Sequence, residues 1–170
     1  MGHSAVAVLD GGWPAWVAAG LPVKSGVELN PAGHFSGTPR LDWIVTSEEV
    51  AQAPLVIDSR DESRYRGEIE PIDPIAGHIP GAVNYFFRQN IDGMGQFRPE
   101  TQIRQQLQAV LGEIPSEQAI FYCGSGVTAC HNLLAQVYAG LAQGRLYPGS
   151  WSEWSSKGLP VATLRNTEYE

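Results

Sequence analysis

A chain of 170 residues with 11 Lys and Arg against 18 Asp and Glu, a net charge of −7, has the size of one full domain plus a fragment. It lacks the basic surplus of proteins that track a nucleic-acid backbone, so no nucleic-acid partner is expected. No uncharged apolar run approaches membrane-spanning length, and the start Met1-Gly2-His3-Ser4-Ala5-Val6 has neither a secretory leader's charged and apolar regions nor the Ser or Thr that a myristoylation signal needs where Val6 stands.

Two cysteines, Cys123 and Cys130, are too few for a disulfide scaffold and point to a reducing compartment, with the cytoplasm as the expected location. Two Cys and four His fall at none of the paired spacings of a zinc site, and no cofactor is implied.

The first element in chain order is one half of a repeat. Leu9-Asp10-Gly11-Gly12-Trp13-Pro14-Ala15-Trp16 resembles Tyr147-Pro148-Gly149-Ser150-Trp151-Ser152-Glu153-Trp154, and Gly20-Leu21-Pro22-Val23 matches Gly158-Leu159-Pro160-Val161 at the same offset. A duplicated unit is the natural reading, with residues 1–23 as the tail of an earlier domain whose body is absent. The alternative makes Trp13 and Trp16 local core residues of a single domain. Residues 24–40 carry Gly26, Pro31, Gly33, Gly37 and Pro39 with little apolar periodicity and read as a linker.

Beyond the linker, Thr46 and Glu49 form a capping-box pattern that opens a short helix through Val50. Strands are expected at Leu55–Asp58, Ala82–Tyr85, Ala119–Tyr122 and Arg145–Tyr147. Between them, helices are expected at Glu100–Leu111, with Ile103, Leu107, Val110 and Leu111 on one face, and at Thr128–Tyr138; a last helix covers Ser150–Ser155. Alternating strands and helices joined by short loops predict an α/β fold, a parallel sheet with helices on both faces.

The loop Cys123-Gly124-Ser125-Gly126-Val127-Thr128 lies between a buried strand and a helix, where open α/β sheets place their ligands. Two glycines let the backbone curl so that successive N–H groups point into one concavity, and the helix N-terminus adds its positive end. Such a cradle favours an anion, and it favours Cys123 as a thiolate. An inert packing cysteine does not account for the Gly-x-Gly loop after it. Cys130 is expected to be a small packing residue, with redox coupling to Cys123 as the alternative; a disulfide between them would compete with catalysis. Cysteine phosphatases close a comparable loop with an Arg, but Ala129 stands at that position.

This loop, together with Gly77-His78-Ile79-Pro80-Gly81-Ala82 and the Tyr147–Trp154 block, resembles the rhodanese-type sulfurtransferases. The resemblance covers the second domain of two-domain members from about residue 40 onward, and residues 1–23 look like the end of their first. It implies a rhodanese-like domain at 41–165 with catalytic Cys123, which takes a sulfur atom from a small anionic donor, thiosulfate or 3-mercaptopyruvate, as a persulfide and passes it to a thiol or cyanide.

The Gly124-Ser125 pair leans toward the 3-mercaptopyruvate type. The resemblance further implies substrate contacts at Gly124, Ser125, Gly126, Val127 and Thr128 and at Arg60, with Arg66 as a second cation whose alternative is a solvated charge paired with a nearby Glu. His78 is expected to be a structural hydrogen-bonder. Mercaptopyruvate members relay Ser125 to an Asp and a His of the first domain, so the relay is incomplete within this chain. Ala15 in the first block where the second has Glu153 fits a non-catalytic copy. The rival reading is a non-catalytic or sulfur-carrying binding module that self-associates through the surface a first domain would cover.

Overall fold

The computed structural model describes residues 5–29 and 31–164. Its helices are α1 (Gly12–Ala18), α2 (Ser47–Val50), α3 (Glu62–Tyr65), α4 (Glu100–Leu111), α5 (Val127–Tyr138) and α6 (Ser150–Ser156). The strands β1 (Val56–Asp58), β2 (Val83–Asn84), β3 (Ile120–Tyr122) and β4 (Arg145–Leu146) form one parallel sheet in the order β2-β1-β3-β4. Ile57 lies opposite both Val83 and Phe121, and Phe121 opposite Leu146, so the central pair β1 and β3 carries the register.

Strand alternation divides the core. Ile57, Phe121 and Cys123 turn to the face covered by Ile103, Leu107 and Leu111 of α4 and Ala129, Leu133 and Ala135 of α5. Val56, Ile120 and Tyr122 turn to the other face, against Val50 of α2 and Trp151 and Trp154 of α6. Each large apolar side chain taken from water in these layers contributes about 1.5–3 kcal/mol. The α/β expectation is therefore met, and the strands are shorter than expected by one residue at one or both ends.

Local signals explain most element ends. Thr46 caps α2 by accepting Glu49 N–H, while the Glu49 carboxylate accepts Thr46 N–H at 2.8 Å, the reciprocal box expected from the sequence. α5 starts at Val127, one residue earlier than expected, because Gly126 takes the left-handed conformation (φ 84°) at its N-cap. The short α3 was not expected; Asp61 caps it by accepting Arg64 N–H at 3.2 Å. Asn132 of α5 donates to Ser59 Oγ at 2.9 Å and to the Tyr85 carbonyl at 3.0 Å, which ties that helix to the carboxyl ends of β1 and β2.

The two blocks of the sequence repeat form seven-residue helices at matching positions, α1 and α6. Trp16 Nε1 donates to the Pro22 carbonyl at 3.0 Å, and Trp154 Nε1 to the Pro160 carbonyl at 2.7 Å. Gly12 and Ser150, at matching positions, have φ of 60° and 53°. Their surroundings differ completely: Trp151 is fully buried, whereas Trp13 is 64% exposed and α1 buries none of its residues. This corrects the alternative that made Trp13 a local core residue. Described residues between 24 and 40 are exposed and form no helix or strand.

Candidate active site

β3 delivers Cys123 at the carboxyl edge of the sheet. Because it follows Phe121 by two positions it points to the same face, and it packs among Ile57, Tyr85, Ala129 and Leu133 with 2% of its surface exposed. The sequence predicts a cysteine in a cradle of N–H groups; its side chain sits nearly buried in an apolar surround.

The loop has the electrostatics of an anion site. Among the described residues, the main-chain N–H groups of Gly124, Ser125, Gly126, Val127, Thr128 and Ala129 donate to no protein acceptor, and Cys130 N–H is the first to find one, the Gly126 carbonyl at 3.2 Å. A left-handed Gly126 followed by right-handed helix is the backbone alternation that gathers successive N–H groups into a nest. A side chain at Gly126 would also collide, since a Cβ there would stand 3.0 Å from the Pro148 carbonyl oxygen.

The second repeat block buttresses this loop from behind. Ser150 Oγ accepts Cys123 N–H at 3.1 Å, Trp151 N–H donates to the Cys123 carbonyl at 3.0 Å, and Ser152 N–H to the Gly124 carbonyl at 3.0 Å. The chain thus hydrogen-bonds the Cys123 peptide on both sides while leaving the N–H groups after it unpaired.

The cations are arranged differently from the expectation. Arg60 is 3% exposed, and its guanidinium is consumed by Asp58 (Nε 3.1 Å, Nη2 2.6 Å), the Gly77 carbonyl (Nη2 2.7 Å) and Glu70 (Nη1 3.2 Å). It stacks over Trp151, 4.8 Å from the ring centre. Arg60 therefore holds the loop after β1 together, with four of its five guanidinium N–H groups engaged and its side chain 1% exposed. Arg66 is an exposed charge paired with Glu62, one turn earlier.

The cation beside the loop is Arg64, a residue that sequence reasoning missed. A Cβ on Gly124 would lie 3.5 Å from Arg64 Nη1, which meets no protein acceptor among the described residues. Its other edge is anchored, Nε to Glu70 at 3.1 Å and Nη2 to Glu70 at 2.6 Å. Glu70 also accepts the N–H groups of Ile72 and Asp73, and with Arg64 these hold its carboxyl below the ordinary range although burial pushes the other way. The signal available in the sequence was Asp61 as a helix cap three residues before Arg64.

The remaining candidates separate cleanly. Ser125 is exposed, and its hydroxyl meets no protein partner among the described residues. Val127 is 72% exposed and Thr128 half-buried at the start of α5. His78 Nδ1 donates to the Tyr65 carbonyl at 2.7 Å and stacks on the Tyr65 ring, so its role is structural; burial lowers its pKa. Cys130 is exposed rather than packed, a free thiol on a groove with Trp43, Leu133 and Val137. Partial desolvation, with a contribution from Cys123, raises its pKa.

Comparison with known proteins agrees with this architecture. Residues 45–157 match the rhodanese-like domain. The chain is 46% identical over 164 residues to a probable 3-mercaptopyruvate sulfurtransferase of Pseudomonas aeruginosa, covering 93% of this chain and 58% of that protein. It is 36% identical to the 3-mercaptopyruvate sulfurtransferase of Homo sapiens, covering 94% and 56%.

Among solved structures it resembles 3-mercaptopyruvate sulfurtransferase from Leishmania major, with a TM-score of 0.74 and 32% identity over 87% of this chain and 43% of that one. It also resembles the anaerobic ergothioneine biosynthesis enzyme from Chlorobium limicola, with a TM-score of 0.77 and 26% identity over 91% and 40%. The chain spans a little over half the length of the curated relatives it matches. By the domain match, the sheet topology and these relatives together, the chain belongs to the rhodanese-like family.

Proposed function

We propose that this chain carries out sulfur transfer through Cys123, with 3-mercaptopyruvate or thiosulfate as donor. The observation that carries the reading is the run of unpaired main-chain N–H groups from Gly124 to Ala129 immediately after a cysteine at the end of β3. Such a run stabilises negative charge brought against it, on a donor anion or on the transferred sulfur, with no reorganisation at the moment of reaction.

In the first half-reaction the Cys123 thiolate attacks the donor's terminal sulfur and forms an S–S bond. With 3-mercaptopyruvate the carbon–sulfur bond breaks, its electron pair leaves on the pyruvate enolate, and the enolate takes up a proton. With thiosulfate the donor's S–S bond breaks and sulfite departs with the pair. In the second, a thiol or cyanide attacks the outer sulfur of the persulfide and the electron pair returns to Cys123 Sγ. Arg64 Nη1 is the donor's anion contact in this reading, in place of Arg60 and Arg66.

The reading is tested by mass spectrometry of the intact protein after donor treatment. Wild type gains one sulfur atom and loses it to cyanide with release of thiocyanate, whereas Cys123→Ser gains none. A wild type that remains unmodified by both donors overturns the proposal.

A further inference from the structure

The guanidinium beside the cysteine loop is embedded in a cluster with an excess of negative charge. Arg60 and Arg64 face three carboxylates, Asp58, Glu70 and Asp73, whose side chains are 0%, 3% and 8% exposed. Two of the three are committed to structure. Asp58 accepts Arg60 Nε and Nη2 and the Arg60 main-chain N–H. Glu70 accepts both guanidiniums and two main-chain N–H groups.

Asp73 is different. Its carboxylate accepts one bond among the described residues, from Arg64 Nη2 at 3.4 Å, an atom that Glu70 already holds at 2.6 Å. Arg64 needs no second carboxylate to keep its pose, so the main physical consequence of Asp73 is charge: it turns a neutral cluster into one with a net negative charge, next to the Arg64 edge that faces Gly124.

We infer that Asp73 is a specificity-determining residue that selects donors by charge, favouring a mono-anionic thiol acid over a dianion. The inference rests on the reading of Arg64 as the donor contact. A 3-mercaptopyruvate molecule brings one carboxylate charge, whereas thiosulfate brings two, and each charge near a partly buried carboxylate meets repulsion that water screens incompletely. Removing the Asp73 charge relieves a dianion about twice as much as a monoanion. The isosteric Asp73→Asn keeps an acceptor for Arg64 Nη2.

The test compares wild type, Asp73→Asn and Asp73→Glu with both donors. Asp73→Asn is expected to raise kcat/KM for thiosulfate relative to 3-mercaptopyruvate by about five-fold at low salt, with the gain shrinking as ionic strength rises, while Asp73→Glu leaves the ratio near wild type. A second readout is independent of turnover: protection of Cys123 against iodoacetamide by inorganic sulfate and by pyruvate.

Asp73→Asn should strengthen protection by sulfate several-fold more than protection by pyruvate. Equal changes for both anions, or an unchanged ratio in a folded Asp73→Asn, overturn the inference. Absence of persulfide in wild type together with charge-selective protection would instead overturn the proposed reaction and leave the charge filter standing.

Discussion

Ser150 Oγ accepts the main-chain N–H of Cys123 at 3.1 Å and donates to the Tyr147 carbonyl at 2.9 Å, from a backbone held at φ 53°. Ser150 is fully buried, and it is the one non-glycine described residue with positive φ. A strained residue in that position is retained where the surrounding structure fixes it, and here the fixed quantity is the plane of the peptide that leads into the cysteine loop.

Replacing the hydroxyl separates two effects. Ser150→Ala keeps the left-handed strain and leaves the buried Cys123 N–H unpaired, at a cost of about 1–3 kcal/mol. Ser150→Gly loses the same bond but relieves strain of about 1 kcal/mol, so it should be no less stable than the alanine variant in urea denaturation. Both should slow formation of the Cys123 persulfide to a similar degree, because both free the peptide plane. A rate that follows stability, high in the glycine variant and low in the alanine variant, would reduce Ser150 to a purely structural role.

β1, β3, α4 and α5 were legible because their signals are local: short apolar runs, and a helical face repeated over three turns. The cysteine loop was legible because two glycines after a strand have few other uses. The choice among Arg60, Arg64 and Arg66 was not, since all three lie within seven residues and only ion pairs with Asp58 and Glu70, fixed by tertiary packing, decide which one faces Gly124.

α3 escaped because its four residues are too few to show a period. The burial of Cys123 could have been read, because strand alternation puts it on the face of Phe121. The Ser150 contact spans 27 positions and has no sequence signal beyond the repeat that drew attention to its block.

Two histidines predict a pH dependence of stability. Burial lowers the pKa of both His78 and His131 from the ordinary value of 6.5. The unfolded chain therefore binds more protons than the folded one as pH falls below about 6.5. Stability present above that value is lost progressively down to the lowered folded-state pKa. Glu70, whose carboxyl is held low by Arg64, adds a separate loss in the acid range below about 4.5, the ordinary carboxyl value.

Thermal melting should show Tm falling between pH 7.5 and 5.5. His131 packs between Phe87 and Phe97, with ring centres 5.4 and 5.0 Å away, so His131→Phe should flatten that slope. An unchanged slope in the variant would show that His131 titrates alike in both states.

The repeat supplies a paired comparison of the same residue type in two environments. Trp151 is buried beneath Arg60 and donates Nε1 to the Ile75 carbonyl at 2.9 Å; Trp13, its counterpart, is 64% exposed. Truncating a buried Trp removes its transfer free energy and leaves a cavity, so Trp151→Ala should cost about 3–5 kcal/mol. Trp13→Ala should fall within about 0.5 kcal/mol of wild type, as surface changes do.

Urea midpoints at constant slope measure both. A large cost at Trp13 that grows with protein concentration would mean that α1 is covered in solution by another copy of the chain, one form of the self-association considered above. A negligible cost at every concentration would show that α1 is not covered by another copy.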